Sequence, residues 1–214
     1  MKWSYIENDT DTALVQYAKT TEIESKCTWQ ANTLGYVMSF YNKKTFRRCI
    51  DAGANYGFLS VGFSRYFDKV ESFEISPVIR KHLNTNINGI SNIKSHPVGL
   101  YNSEKEVKYK LLSTSGMSRI SIDGKGELEK VNTLDSFNFK DVDLIKIDVE
   151  HSELELIEGA IETIKSSLPV IVMEMDFNRA DRSLVRRQKL LGIMYSLGYK
   201  IVDIRHNDVL FING

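Results

Sequence analysis

The chain has 214 residues, 42% of them hydrophobic, and its 28 Lys and Arg residues balance 28 Asp and Glu residues. This length suits one α/β domain over residues 1–214, and the zero net charge provides no overall field that would attract nucleic acid or an anionic membrane. Because Cys27 and Cys49 lack metal-binding or redox spacing, and no apolar run suits a membrane span or a signal peptide, we expect a cytoplasmic protein without nucleic-acid partners or membrane insertion.

The first 45 residues are expected to form a helical cap, with one helix over residues 32–44. From residue 46 onwards, short β-branched runs alternate with segments of helical period, which predicts a core of βαβ units around a mostly parallel sheet. The predicted strands span residues 47–53, 69–75, 93–102, 143–149 and 169–176, and two more surround a turn at 206–208. The predicted helices span residues 56–67, a segment that begins at Pro77 after the N-cap Ser76, a segment after residue 151, and 181–197.

An insertion near residues 103–130 interrupts this alternation between the third and fourth strands. It begins with a segment of hairpin character at 106–113 and continues into a glycine-containing stretch. Long insertions in compact domains often carry function, so this one is a candidate lid or recognition element.

The stretch "DAGANYG" directly follows the first predicted strand and begins a helix. Gly53 and Gly57 allow close backbone approach to a ligand, and Glu74 ends the second strand 23 residues after Asp51, an offset suited to binding a ribose. The dinucleotide fingerprint would need glycine where this chain has Asn55 and Phe58, which disfavours NAD. An acidic, bulkier loop favours a ligand with an ammonium and a sulfonium group, S-adenosylmethionine, although many parallel α/β proteins have a glycine turn here.

Six segments in order, "IDAGANYGFLS", "FEISP", "VGLYNSEKEVKY", "TLDSF", "DLIKIDVEHSELELIEGA" and "LPVIVMEMD", resemble the FkbM family of S-adenosylmethionine-dependent O-methyltransferases over residues 46–176. The resemblance implies a Rossmann-like class I methyltransferase fold, a three-layer α/β/α sandwich with a seven-stranded, mostly parallel sheet and an antiparallel last strand. It also implies that the first glycine loop contacts the methionine half of the cofactor, that Glu74 holds the ribose, and that residues 98–100 flank the adenine. The expected cofactor-binding residues are Asp51, Gly53, Ala54, Asn55, Tyr56, Gly57, Phe58, Glu74, Ile75, Val98, Gly99, Leu100 and Asp148.

The turn after the fourth strand, in "LIKIDVEHSELELIEGA", is the expected catalytic segment. In the implied strand order it lies beside the glycine loop, next to the transferable methyl group. A sugar hydroxyl is a weak acid, so we predict that His151 is the base and that Glu150 or Asp148 orients it. The family's wording is "DVEG", with glycine where this chain has His151, so the histidine is either this protein's own base or an exposed bystander.

Strand alternation is expected to place Asp148 and Glu150 on one face, where a cation must neutralise them. A divalent ion, Lys146 or the cofactor's own positive charge would serve. With Glu174 after the fifth strand, the metal candidates are Asp148, Glu150 and Glu174, a site for magnesium or manganese; the alternative is an acidic rim without metal.

The resemblance favours methyl transfer to a hydroxyl of a sugar or glycan. A hydroxyl of a small natural product and a non-catalytic cofactor-binding module are the alternatives. Nitrogen methylation is disfavoured, because the chain has "DVEH" where nucleic-acid amino-methylating enzymes have an Asn-Pro-Pro-Tyr-like turn. We expect the insertion and the N-terminal cap to select the acceptor, and association with a glycosyltransferase is a further expectation.

Overall fold

The computed structural model describes residues 1–23, 35, 37–38, 46–112, 114–115, 119–121, 124–175, 182–205 and 207–214. The helices are α1 (Thr12–Thr20), α2 (Phe58–Phe63), α3 (Pro77–Asn86), α4 (Glu153–Glu158), α5 (Ile161–Ser167) and α6 (Arg182–Ser196), with a 3-10 turn at Asp135–Phe137. The strands are β1 (Phe46–Ala52), β2 (Phe67–Phe73), β3 (Ile93–His96), β4 (Gly99–Leu100), β5 (Lys105–Lys110), β6 (Arg119–Ile120), β7 (Glu127–Asn132), β8 (Val142–Ile147), β9 (Val170–Glu174), β10 (Tyr199–Arg205) and β11 (Asp208–Asn213).

Seven strands form the central sheet in the order β3-β2-β1-β8-β9-β11-β10. The first five pair in parallel, whereas β11 is antiparallel to both β9 and β10. Alternate side chains of β8 enter different cores: Ile145 and Ile147 pack with α4, α5 and α6, and Leu144 packs on the opposite face with Phe63 of α2. The predicted three-layer sandwich with an antiparallel last strand is therefore confirmed.

The predicted third strand, residues 93–102, is wrong as one element. It divides at Pro97 into β3, which joins the central sheet, and β4, which pairs in parallel with β7. Proline has no N–H to donate to a strand ladder, which favours a break there. The insertion is a second sheet of order β4-β7-β5-β6 rather than an extended loop.

The N-terminal segment covers the glycine-loop end of the central sheet. Trp3, Leu14 and Ala18 pack in one buried cluster with Phe58 of α2 and Leu83 of α3. Asp11 caps α1 by accepting a hydrogen bond from the Leu14 N–H at 3.0 Å. Most of the helix predicted over residues 32–44 lies outside the described residues. Within the described part of the chain, no helix has the length and hydrophobicity to cross a bilayer.

Candidate functional site

The glycine bend after β1 and the turn after β8 are in direct contact. The N–H of Asp148 donates to the carbonyl oxygen of Ala52 at 3.0 Å. Gly53 has φ of +79°, and a Cβ atom there would lie 1.8 Å from the carbonyl oxygen of Asp148. Only glycine tolerates both conditions, so the sequence "DAG" allows the two turns to meet.

Two clefts open on either side of this contact, with volumes of about 650 and 770 Å³. They share Gly53, Asn55, Asp148 and Glu150. The smaller cleft continues along the carboxyl end of β2 and under the insertion, lined by Phe73, Glu74, Ile75, Gly99, Leu100, Ser115, Arg119, Ile120, Val149 and Ser152. The larger continues under the N-terminal segment, lined by Asp11, Leu14, Asp51, Ala54, Tyr56, Phe58, Leu59, Thr114, Lys146 and Glu174.

Glu74 is buried at the end of β2 and holds the glycine loop in place. Its two carboxyl oxygens accept hydrogen bonds from the backbone N–H groups of Asn55, at 3.0 Å, and Ser76, at 2.9 Å. Burial raises the pKa of Glu74 to about 7, against the lowering effect of these hydrogen bonds and of nearby Arg80. A carboxylate has about four acceptor positions, so two remain for the hydroxyls of a ribose.

Asn55 provides a second test of whether a cofactor fits. Its φ is +49°, and its Oδ1 atom is buried without a hydrogen-bond partner among the described residues. A buried acceptor without a donor is costly, and the ammonium group of a bound amino-acid moiety would be a suitable donor. The need of the Asn55 Oδ1 atom for a hydrogen-bond donor, and the acceptor positions of Glu74, both fit S-adenosylmethionine.

Three ionisable side chains meet at the carboxyl ends of β8 and β9. Lys146 is 3% exposed, and its Nζ lies 2.8 Å from Oδ2 of Asp148. Glu174 ends the neighbouring parallel strand and lines the same cleft as Asp148. Burial raises the pKa of Asp148, but Lys146 and Glu174 outweigh it and hold the pKa below its usual value. Burial and the negative charge of Asp148 raise the pKa of Glu174 to about 8. The pair therefore shares one proton at neutral pH.

Of the three candidate cations, Lys146 is the one that the structure places beside these carboxylates. Among the described residues, no group of three or more His, Cys, Asp or Glu side chains is arranged to hold a metal ion. The candidate metal site at Asp148, Glu150 and Glu174 therefore has no support, and the ammonium group occupies the position where a neutralising charge was expected.

His151 and Glu150 do not continue the alternation of β8, which ends at Ile147. Both have positive φ, +45° for Glu150 and +74° for His151, an uncommon backbone conformation that redirects the chain. Glu150 lines both clefts, whereas His151 lines neither. Arg119 lies 3.1 Å from the Nε2 atom of His151 and donates to it. Neither carboxylate lies on the strand, so strand alternation does not place them, although Asp148 and Glu150 line the same two clefts as expected. The role of His151 as base stays a prediction.

Some expected cofactor contacts have clear packing roles. Tyr56 is fully buried, and its hydroxyl donates to Asp9 at 2.6 Å. Phe58 packs edge-on against Trp3, with ring centroids 4.6 Å apart. Gly57 has φ of +86° and leaves room for the side chain of Leu83. Both aromatic residues still line the larger cleft, so the assignment of these positions to the cofactor stays a prediction.

Six cleft-lining residues of the N-terminal cap and the insertion were not identified from the sequence: Asp11, Leu14, Thr114, Ser115, Arg119 and Ile120. Both segments were expected to recognise the acceptor. No motif distinguishes these six residues from their neighbours, because only the tertiary structure brings them to the cleft.

The strand order, the antiparallel last strand and the cleft at the carboxyl ends of the strands define a class I S-adenosylmethionine-dependent methyltransferase fold. Fibrillarin from Aeropyrum pernix, solved with bound S-adenosyl-L-methionine, has a TM-score of 0.51 at 12% identity over 85% of this chain and 73% of its own. Precorrin-6y C5,15-methyltransferase from Geobacter metallireducens has a TM-score of 0.51 at 14% identity over 88% of each chain.

The sequence profile of the methyltransferase FkbM domain matches residues 51–201, so the chain belongs to the FkbM methyltransferase family. The FkbM methyltransferase of Methylobacillus flagellatus has a TM-score of 0.61 at 20% identity, over 94% of this chain. This chain corresponds to 52% of that protein's length. A comparison with curated proteins gave no significant match. Family membership supports S-adenosylmethionine-dependent methyl transfer, with S-adenosylmethionine as the expected methyl donor.

Proposed function

We propose that this protein is an O-methyltransferase that moves a methyl group from S-adenosylmethionine to a hydroxyl of a sugar or glycan. The observation that carries the proposal is the position of the Asp148 carboxylate. Asp148 lines both clefts, its backbone contacts the glycine bend, and its carboxylate is held ionised by buried Lys146. Methylation of a hydroxyl requires a group that can take the hydroxyl proton, placed where the methyl donor and the hydroxyl meet.

The smaller cleft suits the adenosine part of the donor. Glu74 would accept hydrogen bonds from the ribose, and Ile75, Gly99 and Leu100 would enclose the adenine. The unpartnered Oδ1 of Asn55 would accept from the methionine ammonium group. When bound, S-adenosylmethionine supplies an electrophilic methyl carbon, so the protein's own task is to orient the acceptor oxygen and to take its proton.

The larger cleft suits a polyol acceptor. Asp11, Thr114 and Glu150 offer hydrogen-bond acceptors to several hydroxyl groups, and Lys146 is already paired with Asp148. Leu14 and Leu59 add an apolar wall, which favours a small natural-product hydroxyl as the second candidate. The expected association with a glycosyltransferase stays a prediction.

Two side chains compete for the role of base. Asp148 lines both clefts, whereas the Nε2 of His151 accepts a hydrogen bond from Arg119 and must lose it before it can take a proton. The geometry therefore favours Asp148, with His151 as a residue that fixes the position of Arg119.

Methyl-labelled S-adenosylmethionine with a panel of neutral sugars, glycans and phenolic natural products tests the proposal. We expect an O-methyl product with the wild type, a loss of kcat of at least about 100-fold in Asp148→Asn, and less than about tenfold in His151→Gln. Glu162→Gln is the matched control, since this exposed carboxyl lies on α5 and pairs only with Lys165 at 3.1 Å among the contacts described.

Three outcomes would contradict these assignments. A larger loss in His151→Gln than in Asp148→Asn would return the role of base to the histidine. A methylated nitrogen in the product would exclude the O-methyl assignment. Tight binding of S-adenosylhomocysteine with no product from any acceptor would favour the non-catalytic module.

A further inference from the structure

We propose that Glu174 is a positioning residue that forms a proton-sharing pair with Asp148, and that this pair, rather than Asp148 alone, receives the proton of the acceptor hydroxyl. This inference rests on the proposed function. It concerns a residue at the end of β9 that sequence reasoning assigned only to a metal site.

The geometry joins the two carboxyl groups within one side of the larger cleft. Glu174 ends β9, Asp148 follows β8, and these strands are parallel neighbours. Ile147 and Met173, the residues that precede Asp148 and Glu174, are register partners, and both carboxyl side chains line the cleft. Two neighbouring carboxyl groups repel each other when both are ionised and form a hydrogen bond only with a proton between them, so this placement favours one shared proton.

The surrounding charges explain why one proton remains. Lys146 is buried beside Asp148 and supplies one positive charge. Among the described residues, the charged groups near the pair are Asp11 at the start of α1, Asp51 on β1, Lys146 on β8, Glu150 in the following turn, Glu153 at the start of α4 and Asp208 on β11. In this set the carboxylates outnumber the ammonium group of Lys146, and full ionisation of the pair needs a further cation.

A cationic cofactor would provide that charge. Its arrival beside the glycine bend favours loss of the shared proton, and both carboxylates are then ionised. The pair is now a stronger base than Asp148 alone, because the proton it regains is held between two oxygens.

The transfer step then balances in atoms and charge. The acceptor oxygen forms a bond to the methyl carbon, the carbon–sulfur bond breaks with its electron pair left on sulfur, and the hydroxyl proton passes to the Asp148–Glu174 pair. One positive charge disappears from sulfur as one negative charge disappears from the pair. The net charge of the buried site is constant through the step, which avoids the cost of creating an uncompensated charge.

Proton-linked calorimetry tests this inference without catalysis. The two probes are S-adenosylhomocysteine, with a neutral sulfur, and sinefungin, with an ammonium group at the corresponding position. At pH 7, in buffers of different ionisation enthalpy, we expect sinefungin to release about 0.5 to 0.9 proton more than S-adenosylhomocysteine. Both ligands contain the ribose, so any contribution from Glu74 cancels in the difference.

Glu174→Gln is the decisive variant, with Glu162→Gln as the matched control. The amide keeps a donor for Asp148 but carries no removable proton, so the difference in proton release should fall to about zero while both ligands still bind. In turnover, kcat/KM for S-adenosylmethionine should rise with pH up to about 8 in the wild type, because Glu174 and Glu74 both titrate in the free enzyme. In Glu174→Gln, kcat should be at least about tenfold lower, and kcat/KM should rise less steeply with pH, since of these two groups only Glu74 still titrates.

The outcomes separate this inference from the proposed function. Failure of both ligands to bind would overturn the cofactor site and this inference with it. Binding of both with equal proton release in the wild type, or an unchanged difference in Glu174→Gln, would overturn the proton-sharing pair and leave O-methyl transfer standing.

Discussion

Replacement of Gly53 by alanine should open the contact on which the site depends. The new Cβ would lie 1.8 Å from the carbonyl oxygen of Asp148, and φ of +79° is unfavourable for alanine. The left-handed conformation costs about 1–2 kcal/mol, and separating the turns adds about 1–3 kcal/mol. We therefore expect Gly53→Ala to lower the free energy of unfolding by about 2–5 kcal/mol.

Gly89→Ala is the matched control for this prediction. Gly89 has φ of +85°, but a Cβ there would meet no atom within 4 Å, so only the backbone term of about 1–2 kcal/mol applies. For a domain of this size, each kcal/mol shifts Tm by about 2–4 °C. Thermal unfolding by circular dichroism should show a Tm roughly 2–12 °C lower for Gly53→Ala than for Gly89→Ala, from the additional cost of about 1–3 kcal/mol. Equal shifts in the two variants would refute the contact between the two turns.

Three further substitutions test the charges and hydrogen bonds around the clefts. Lys146→Met removes the buried ammonium beside Asp148, whose side chain is 28% exposed, and should lower the free energy of unfolding in urea by about 1–3 kcal/mol; no measurable loss would exclude the ion pair. Because the pKa of Glu74 is raised to about 7, its ionised fraction and hence the affinity for S-adenosylhomocysteine should rise about tenfold between pH 6 and 8, and Glu74→Gln should abolish this dependence in calorimetric titrations. Tyr56→Phe removes the hydroxyl that donates to Asp9 at 2.6 Å and should lower the free energy of unfolding in the same urea assay by about 1–3 kcal/mol. An unchanged free energy of unfolding would show that this buried hydrogen bond does not stabilise the protein.

The sequence predicted the central sheet because its signals are local. Apolar β-branched runs identified β1, β8 and β9, and Ser76 was correctly assigned as the N-cap of α3, where its side chain accepts from the Ile79 N–H. The break at Pro97 was missed, although a proline inside a predicted strand signals such a break. Hairpin character was predicted at 106–113, where β5 pairs antiparallel with β6 and β7, but the full sheet of the insertion was not predicted, because β4 reaches β7 only after more than 25 intervening residues.

The site was predicted in part for the same reason. The glycine bend, Glu74 and Asp148 follow strands directly, and the parallel order brings strand ends to one edge whatever lies between them. Charge balance from sequence left three candidates for the neutralising cation, and only the structure distinguished Lys146 from a metal ion.

The sequence alone located the bend at Gly53 and the acidic residue at the end of the second strand. Both features depend only on the residue itself and its immediate neighbours in the chain. The tertiary structure decided which charges meet. The carboxyl pair Asp148 and Glu174, and the contact between Arg119 and His151, bring together residues from separate elements. Burial and the charge of Asp148 then raise the pKa of Glu174, a quantity that depends on everything packed around the group and not on the residues next to it in the chain.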